Sequence, residues 1–364
     1  MKTIDAGIVG GGLAGLSLSI LLARQGKSVV LWEKGTYPSH RVCGEYISKE
    51  SLPFLKQLLP DFAWNELPQI DQLLVSSVTG RTIREQLGLG GIGISRYLLD
   101  ASLAAEARRS GVQLLENCPV KAYAELDSGF EVSANSENWH CSTLFLAYGK
   151  GRGPGEQARR PKTGRHFLGV KYHIRFPHPA DEIQLHNFSG GYCGMSKVEE
   201  GISCLCYLVD AARLQACGND IRKMEVEVLQ QNPFLRAIFR ESEFVLDMPK
   251  VISGVRFGEW GTQAGKAFLL GDAAGSIAPL CGNGMSMALH AASYLGSAPT
   301  EAPGHPPGYR YFREQHFVSR IKAGSAIQSF FGSNFLTSAG IEMLRVLPSS
   351  LRRKIIRLTH GKPF

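Results

Sequence analysis

Asp272 is the lone charge in "FLLGDAAGSIAPLCGNGMSMAL", residues 268–289. A carboxylate in such company is costly to keep ionised unless something pairs with it. Two partners suit it: the backbone of the helix fed by the "PLCGNG" turn, which it would cap, or the hydroxyl groups of a ligand. Cys43, in "HRVCGEYIS", is the other residue with reactive potential. A thiol becomes a nucleophile when its pKa falls, and Arg41 and His40 stand close enough in sequence to lower it. The competing reading is a small side chain fitted beneath a flat ligand. Cys281 reads as packing, His290 as a core histidine within a helix, and Cys204 and Cys206 as core residues of a strand. The cysteines form no CxxC pair, and no metal site is expected.

The elements that must position these residues begin at the N-terminus. "DAGIVGGGLAGLSLSILLARQGKSVVLWEK" reads as strand, glycine turn, helix and strand. G-x-G-x-x-G falls on Gly10, Gly12 and Gly15. Gly10 permits the tight turn, Gly12 lets the backbone approach a pyrophosphate, and Gly15 lets the helix pack closely on the sheet. The helix opening there aims unpaired N–H groups and its positive dipole end at the phosphates. Glu33 ends the second strand about twenty residues past the glycines, where a ribose is recognised, and favours a free 2′-OH over a 2′-phosphate. These features define a dinucleotide site.

The Asp272 segment indicates which dinucleotide. "KAFLLGDAAG" reads as a strand, Ala267 to Leu270, leading into Gly271-Asp272, and a helix follows from about Gly284. An NAD-binding unit has no need of this second element. A flavin does: its ribityl hydroxyls can bond a carboxylate, and a helix N-terminus can face the N1–C2=O edge, where the reduced ring gathers negative charge.

Together these segments resemble the FAD-dependent superfamily of aromatic hydroxylases (group A flavin monooxygenases), flavin halogenases and geranylgeranyl reductases. "HRVCGEYIS" is similar to the reductase-branch segment that passes near the isoalloxazine. "ISRYLLDASLAAEARRSGVQLLENCPV" is similar to the superfamily's Arg/Asp helix and the strand after it, and "SGGYCGMSKVEEGISCLCYLVD" to a substrate-domain segment of the reductase and halogenase branches. The resemblance implies FAD contacts from Gly10, Gly12, Ala14, Gly15, Glu33, Lys34, Arg41, Cys43, Gly44 and Arg96, with Val120 at the adenine. It implies further contacts from Asp272, Pro279, Gly282, Gly284 and Met285. Two departures matter. Tyr148 stands where the middle motif often has Asp, which puts the nicotinamide contact attached to that Asp in doubt. The Trp-and-Pro motif of tryptophan halogenases and many prenyl reductases is missing after Gly191-Tyr192, which argues against halogenation and weakens the prenyl-reductase reading.

The expected fold is α/β: a Rossmann-like FAD-binding domain with an inserted β-sheet substrate domain and C-terminal helices. Residues 1–75, 95–165 and 250–300 would form the FAD-binding domain, 76–94 and 166–249 the substrate domain, and 301–364 the helical region. "HFLGVKYHIRF" and "DEIQLHNF" alternate as strands do, and "GISCLCYLVD" is apolar on both faces. "PTEAPGHPPG", 299–308, reads as a surface connection. In the tail, 342–364, Leu351, Ile355 and Leu358 share one helical face while Arg352, Arg353, Lys354 and Arg357 spread over the rest. Such a helix either lies on an anionic membrane as a peripheral contact or packs on the protein with a solvated basic face.

The 364 residues carry a formal charge of +8, which fits an anionic partner such as a phosphate-bearing cofactor or a membrane surface. Nucleic acid is not expected, since there is no zinc-finger spacing and no Lys/Arg run with interleaved aromatics. With no secretory signal and no apolar run long enough to span a bilayer, a cytoplasmic protein with reduced thiols is expected. One nucleotide fingerprint means that NAD(P)H binds without its own Rossmann domain, or that a separate reductase supplies electrons. No acid–base constellation is visible near the flavin motifs. Among the reaction classes that the resemblance implies, that favours an FAD-dependent monooxygenase hydroxylating an apolar aromatic, polyketide-type or lipid-like substrate through a flavin C4a-hydroperoxide. The alternative is a reductase or dehydrogenase acting on a C=C bond, and a minor one is a non-catalytic flavin carrier.

Overall fold

Apolar runs such as "GIVG" and "VVLW" suit strands buried on both faces, as in a parallel sheet. A computed structural model describes residues 2–151, 153–154, 166–298, 308–332 and 334–364, and places these runs side by side. The parallel core of the first sheet runs Ala267–Leu269, Glu137–Leu146, Lys2–Val9, Val29–Trp32, Gln113–Leu115. Register is fixed by pairs such as Ala6 with Val29 and Val9 with Leu146. On one side lies the helix Leu13–Arg24, with Leu16, Leu18, Ile20 and Leu22 buried. Gly296 of the helix Gly284–Ser297 lets that distant segment pack against it, since a Cβ there would fall 2.3 Å from Leu21 Cδ1.

The second sheet is built from nine strands among the described residues. Its main path runs Glu243–Phe244, Phe167–Arg175, Ser203–Asp210, Gly191–Lys197, Glu182–Phe188, Gln69–Ser76, Thr82–Gly93, Tyr46–Ser48, with Lys250–Val255 also beside Phe167–Arg175. All pairs are antiparallel except Glu182–Phe188 with Gln69–Ser76. Sheet membership crosses the expected segment limits. Tyr46–Ser48, Gln69–Ser76 and Lys250–Val255 pair with the second sheet, although 1–75 and 250–300 were assigned to the first unit. Main-chain pairing decides sheet membership, and it leaves no mark in local composition.

Alternation gives this sheet two different faces. Leu168, Val170, Tyr172, Ile174, Leu205 and Tyr207 pack with Met224, Leu235 and Ile238 of the helices Ile221–Glu227 and Pro233–Glu241. The intervening residues face the glycine-turn side, where the Cβ position of Gly169 lies 3.1 Å from Val42.

The tail folds back onto the protein. In the helix Ser349–Arg357, Arg352 turns inward to pair with Glu85 and to donate to Leu344 O at 3.1 Å. Asn283 Nδ2 donates to Thr359 O at 2.6 Å, and the Phe364 ring stacks on His290 at 4.0 Å. Arg352 is thus withdrawn from the expected solvated basic face, while Leu351 and Leu358 remain exposed. No helix among the described residues is long and apolar enough to cross a membrane. All eight cysteines are free thiols. Residues 299–307 of the expected Pro/Gly connection lie outside the described residues.

Candidate functional site

The first glycine turn has the conformation its residues demand. Gly10 sits at φ +105°, and a Cβ there would meet Ala147 O at 2.5 Å. Around Gly12, by contrast, a Cβ would meet only Arg96 Nη2, at 3.9 Å. The helix Leu13–Arg24 starts with no side-chain cap, so the N–H groups of its first turn, which includes the buried Ala14, have no capping side chain. Glu33 is buried beside the turn and accepts from Gly11 N at 2.7 Å, Gly35 N at 2.9 Å and Arg41 Nη2 at 3.2 Å. Burial opposes its charge, but Arg41 and the two N–H donors outweigh it and hold the carboxyl below its usual range. Tyr37 Oη donates to Gly11 O at 2.5 Å, and Arg96 grips Asp100 through two bonds of 2.6 and 2.7 Å. Cys118 N donates to Glu33 O, which brings Val120 to the Glu33 end of the turn; Lys34 is exposed there.

The second segment converges on the first. Gly271, at φ +61°, sits so close to the helix start that its Cβ position lies 3.3 Å from Ala14 Cβ. Asp272, next in the chain, does not cap the helix Gly284–Ser297, which has no side-chain cap. Its nearest cation is Lys150 Nζ, at 3.9 Å. The capping alternative therefore falls. Pro279 opens the turn, and Gly282 holds φ +64° where a Cβ would strike the Tyr46 ring at 2.9 Å. A small, open recess is lined by Gly271, Asp272, Gly284, Met287 and Arg313. Met285 Sδ lies 3.5 Å from Cys43 Sγ, which joins "HRVCGEYIS" to the start of this helix.

The residues present fit a flavin dinucleotide. The helices Leu13–Arg24 and Gly284–Ser297 begin without side-chain caps, Asp272 has no partner closer than 3.9 Å among the described residues, and no described atom lies within 4 Å of a Cβ placed on Gly44. Gly10, Gly12, Ala14, Gly15, Glu33 and Arg96 gather at one end of this tract, and Cys43, Gly44, Gly282, Gly284 and Met285 at the other.

Beside Cys43 and Gly44 lies a cluster that the sequence does not announce. Glu45 is fully buried, holds φ +56°, and accepts from Lys171 Nζ at 2.5 Å, His173 Nε2 at 2.6 Å and Arg96 N at 2.7 Å. Burial works against the Glu45 charge, but the His173 bond and the Lys171 ammonium outweigh it and hold the carboxyl below its usual range. Burial likewise opposes the Lys171 ammonium, and its neighbours Cys204 and Glu45 hold its pKa above the ordinary lysine value. His40 meets His173 edge-on at 4.9 Å and stacks on Tyr97 at 4.7 Å; burial, with Lys171 and His173, pushes its pKa down to about 4. Donor atoms of Glu45, His173 and Cys204 lie within 4.8 Å of one another, a spacing a metal ion can use. Lys171 already supplies the positive charge at Glu45, and a metal ion there would be repelled by it.

The cysteines of this region sit in different settings. Burial pushes the Cys43 thiol up, so this setting does not favour a thiolate nucleophile. Arg41 is turned away to Glu33 and Asp100, and His40 stays neutral, so neither activates it. Cys204 is fully buried in its strand, as expected, whereas Cys206 is only half-buried; both lie on the face of the second sheet opposite Leu205 and Tyr207, and Cys204 Sγ donates to Cys43 O at 3.2 Å. Cys281 and His290 are packed as expected, with burial pushing the thiol up to about 12 and the imidazole down to about 3. The missed cluster had one local trace: Lys171 and His173 sit two apart on an otherwise apolar strand and so share a face.

A Rossmann-like sheet, a glycine turn ending at Glu33 and a second strand–turn–helix at Asp272 give the chain a fold that it shares with solved flavoproteins. Residues 8–45 match the model of the NAD(P)-binding Rossmann-like domain. Conditioned medium factor receptor 1 of Dictyostelium discoideum is 23% identical over 317 residues, which cover 78% of this chain and 61% of that protein. Protein FixC of Escherichia coli O157:H7 is 27% identical over 209 residues, 52% of this chain and 48% of that protein. The chain thus spans about half to three-fifths of these curated relatives. Among solved structures, a flavoprotein/dehydrogenase from Cytophaga hutchinsonii aligns with a TM-score of 0.82 at 15% identity, covering 98% of this chain and 92% of that one. The flavin-dependent brominase Bmp2 aligns with a TM-score of 0.77 at 15% identity, covering 98% and 93%.

Proposed function

We propose that this chain is an FAD-dependent monooxygenase that hydroxylates an apolar aromatic, polyketide-type or lipid-like substrate, with electrons from NAD(P)H or a separate reductase. The observation that carries this reading is an apolar opening in the second sheet. Cys206 and Gly194 are only half-buried, although strand residues on both sides of each are fully buried. Around them stand Leu185, Tyr192, Leu208 and Val255, joined by Phe257 and by Leu280 of the "PLCGNG" turn. Such a wall supports an apolar substrate lying against the tract that fits the flavin. When bound, FAD supplies the two-electron chemistry. Glu33, Arg96 and the two glycine turns would hold the dinucleotide, Asp272 its ribityl hydroxyls, and the apolar wall would keep water from the reacting atoms. Reducing the FAD-loaded protein anaerobically and then admitting ¹⁸O2 with candidate substrates tests the reading: one labelled oxygen atom should enter the product.

A second reading is favoured by one observation. Oxygen transfer was preferred because no acid–base groups were visible near the flavin motifs, yet Glu45, Lys171 and His173 lie beside Cys43 and Gly44. Saturation of a C=C bond needs a proton as well as a hydride, and this cluster can hold one. Substrate-driven reoxidation of the reduced protein without O2 would establish it in place of hydroxylation.

A further inference from the structure

Lys171 has more to donate than the chain accepts. Its side chain is fully buried, and an ammonium carries three N–H donors. Among the described residues its only hydrogen-bond acceptor is Glu45 Oε1. Buried donors left unmet are costly, more so on a charged group, so the remaining N–H groups call for an oxygen from outside the chain. Glu45 is over-determined by contrast: three donors fix it in a backbone conformation that non-glycine residues rarely adopt. Such an arrangement anchors Lys171 through one of its N–H groups, with the thiols of Cys204 and Cys43 as its other near neighbours.

The sheet register shows what the rest of that ligand would meet. Lys171 pairs with Cys206, Cys206 with Gly194, and Gly194 with Leu185, a single row across four strands on the face toward the glycine turns. The row starts at a charge, passes two small half-buried residues, and ends on the apolar wall of Leu185, Tyr192 and Leu208. Above Gly194 a Cβ would find nothing nearer than Leu185 Cδ2 at 3.5 Å, so the middle of the row has room. Three inter-strand spacings make the row about 14 Å long.

From this row we infer that Lys171 binds the oxygen of the substrate, a hydroxyl or carbonyl conjugated to an apolar body that lies over Cys206 and Gly194 toward Leu185. The assignment rests on the proposed function for its substrate side and adds the residue that orients that substrate. Glu45 and His173 act as positioning residues, holding the ammonium and its charge in place.

The probes are 4-nitrophenol, which carries such an oxygen, and nitrobenzene, which does not, each added to the FAD-loaded full chain and read by difference absorbance. The wild-type protein should bind 4-nitrophenol as its phenolate, raising its acid dissociation by about tenfold or more, because a buried ammonium favours the anion. Lys171→Met alone would strand a buried carboxylate, so the double variant Lys171→Met with Glu45→Gln keeps the pocket neutral. It should still bind nitrobenzene but no longer shift the ionisation of 4-nitrophenol. Gly194→Val should weaken both probes about tenfold or more by filling the row, with its flavin content unchanged. Unaltered ionisation in the double variant, equal binding of both probes by wild type and double variant, or failure of either probe to bind wild type would overturn the assignment. A chain that holds no FAD yet ionises 4-nitrophenol through Lys171 would sink the flavin reading and leave this one standing.

Discussion

Asp272 pairs only weakly within the chain, since Lys150 Nζ stands 3.9 Å away and both side chains keep a quarter to a third of their exposure. An exposed pair at that distance contributes little to stability. Asp272→Ala should therefore unfold within about 1 kcal/mol of the wild type, while its dissociation constant for FAD rises about tenfold or more, as read by ultrafiltration and flavin fluorescence. Unchanged FAD affinity would remove Asp272 from the cofactor's grip. This residue was legible because a charge in an apolar run has no innocuous reading. Glu45 and Lys171 were not, because they meet across 126 positions and neither local sequence announces a partner. "CGEYIS" reads as a glycine turn, and one lysine in "FLGVKYHIR" reads as an edge residue whose ammonium reaches water.

Strands and helices follow from local pattern wherever backbone sterics leave few choices. Gly15 shows this most sharply, since a Cβ there would fall 2.0 Å from Gly10 O, in the turn that closes the first strand onto the helix. Gly15→Ala should destabilise the fold by about 2–4 kcal/mol in denaturant titration, because backbone cannot give way as a side-chain tip does. A midpoint equal to wild type would mean that the helix can lift from the sheet without loss. The parallel strands and the helix at Gly284 were legible in the same way, from apolar runs broken by glycine. The membership of Gln69–Ser76 was not, because its parallel partner Glu182–Phe188 lies more than a hundred residues on. The tail was legible only as amphipathic: nothing in its sequence says that Phe364 will stack on His290 or that its backbone N–H will bond Glu50 O at 3.1 Å. Removing residues 361–364 should lower the unfolding free energy by about 1–3 kcal/mol through loss of that ring and its bonds. Equal thermal midpoints for the truncated and full chains would show the contact to be idle.

At the scale of the whole molecule, histidines govern the response to acid. Burial pushes His178 down to about 4 and His186 and His290 down to about 3, so all three are neutral in the folded protein near neutral pH. In the unfolded chain each titrates near the ordinary histidine value of about 6.5. Below that pH the unfolded state binds protons that the folded state refuses, so stability is lost as pH falls from about 6.5 toward 4. Glu45 acts in the same direction lower down: its depressed carboxyl contributes stability above the unfolded glutamate value, which is lost as pH falls through its folded value. The thermal midpoint should therefore be nearly flat from about pH 7 upward to the mildly alkaline range and fall already between about pH 6.5 and 5, before most carboxylates titrate. His290 offers the sharpest check, because its Nδ1 is buried without a partner among the described residues while its ring packs on Phe364, Phe312, Phe317 and His316. His290→Phe keeps an aromatic ring there and removes the proton-binding site. Its stability at pH 7 should equal or exceed the wild type, and its loss on moving to pH 5 should be smaller by about 1 kcal/mol, measured by denaturant titration at both values. An identical loss in both proteins would mean that His290 is free to take up a proton in the folded state, and the acid response would then have to be carried by the other depressed histidines, His40, His178, His186, His316 and His360, and by the carboxylates.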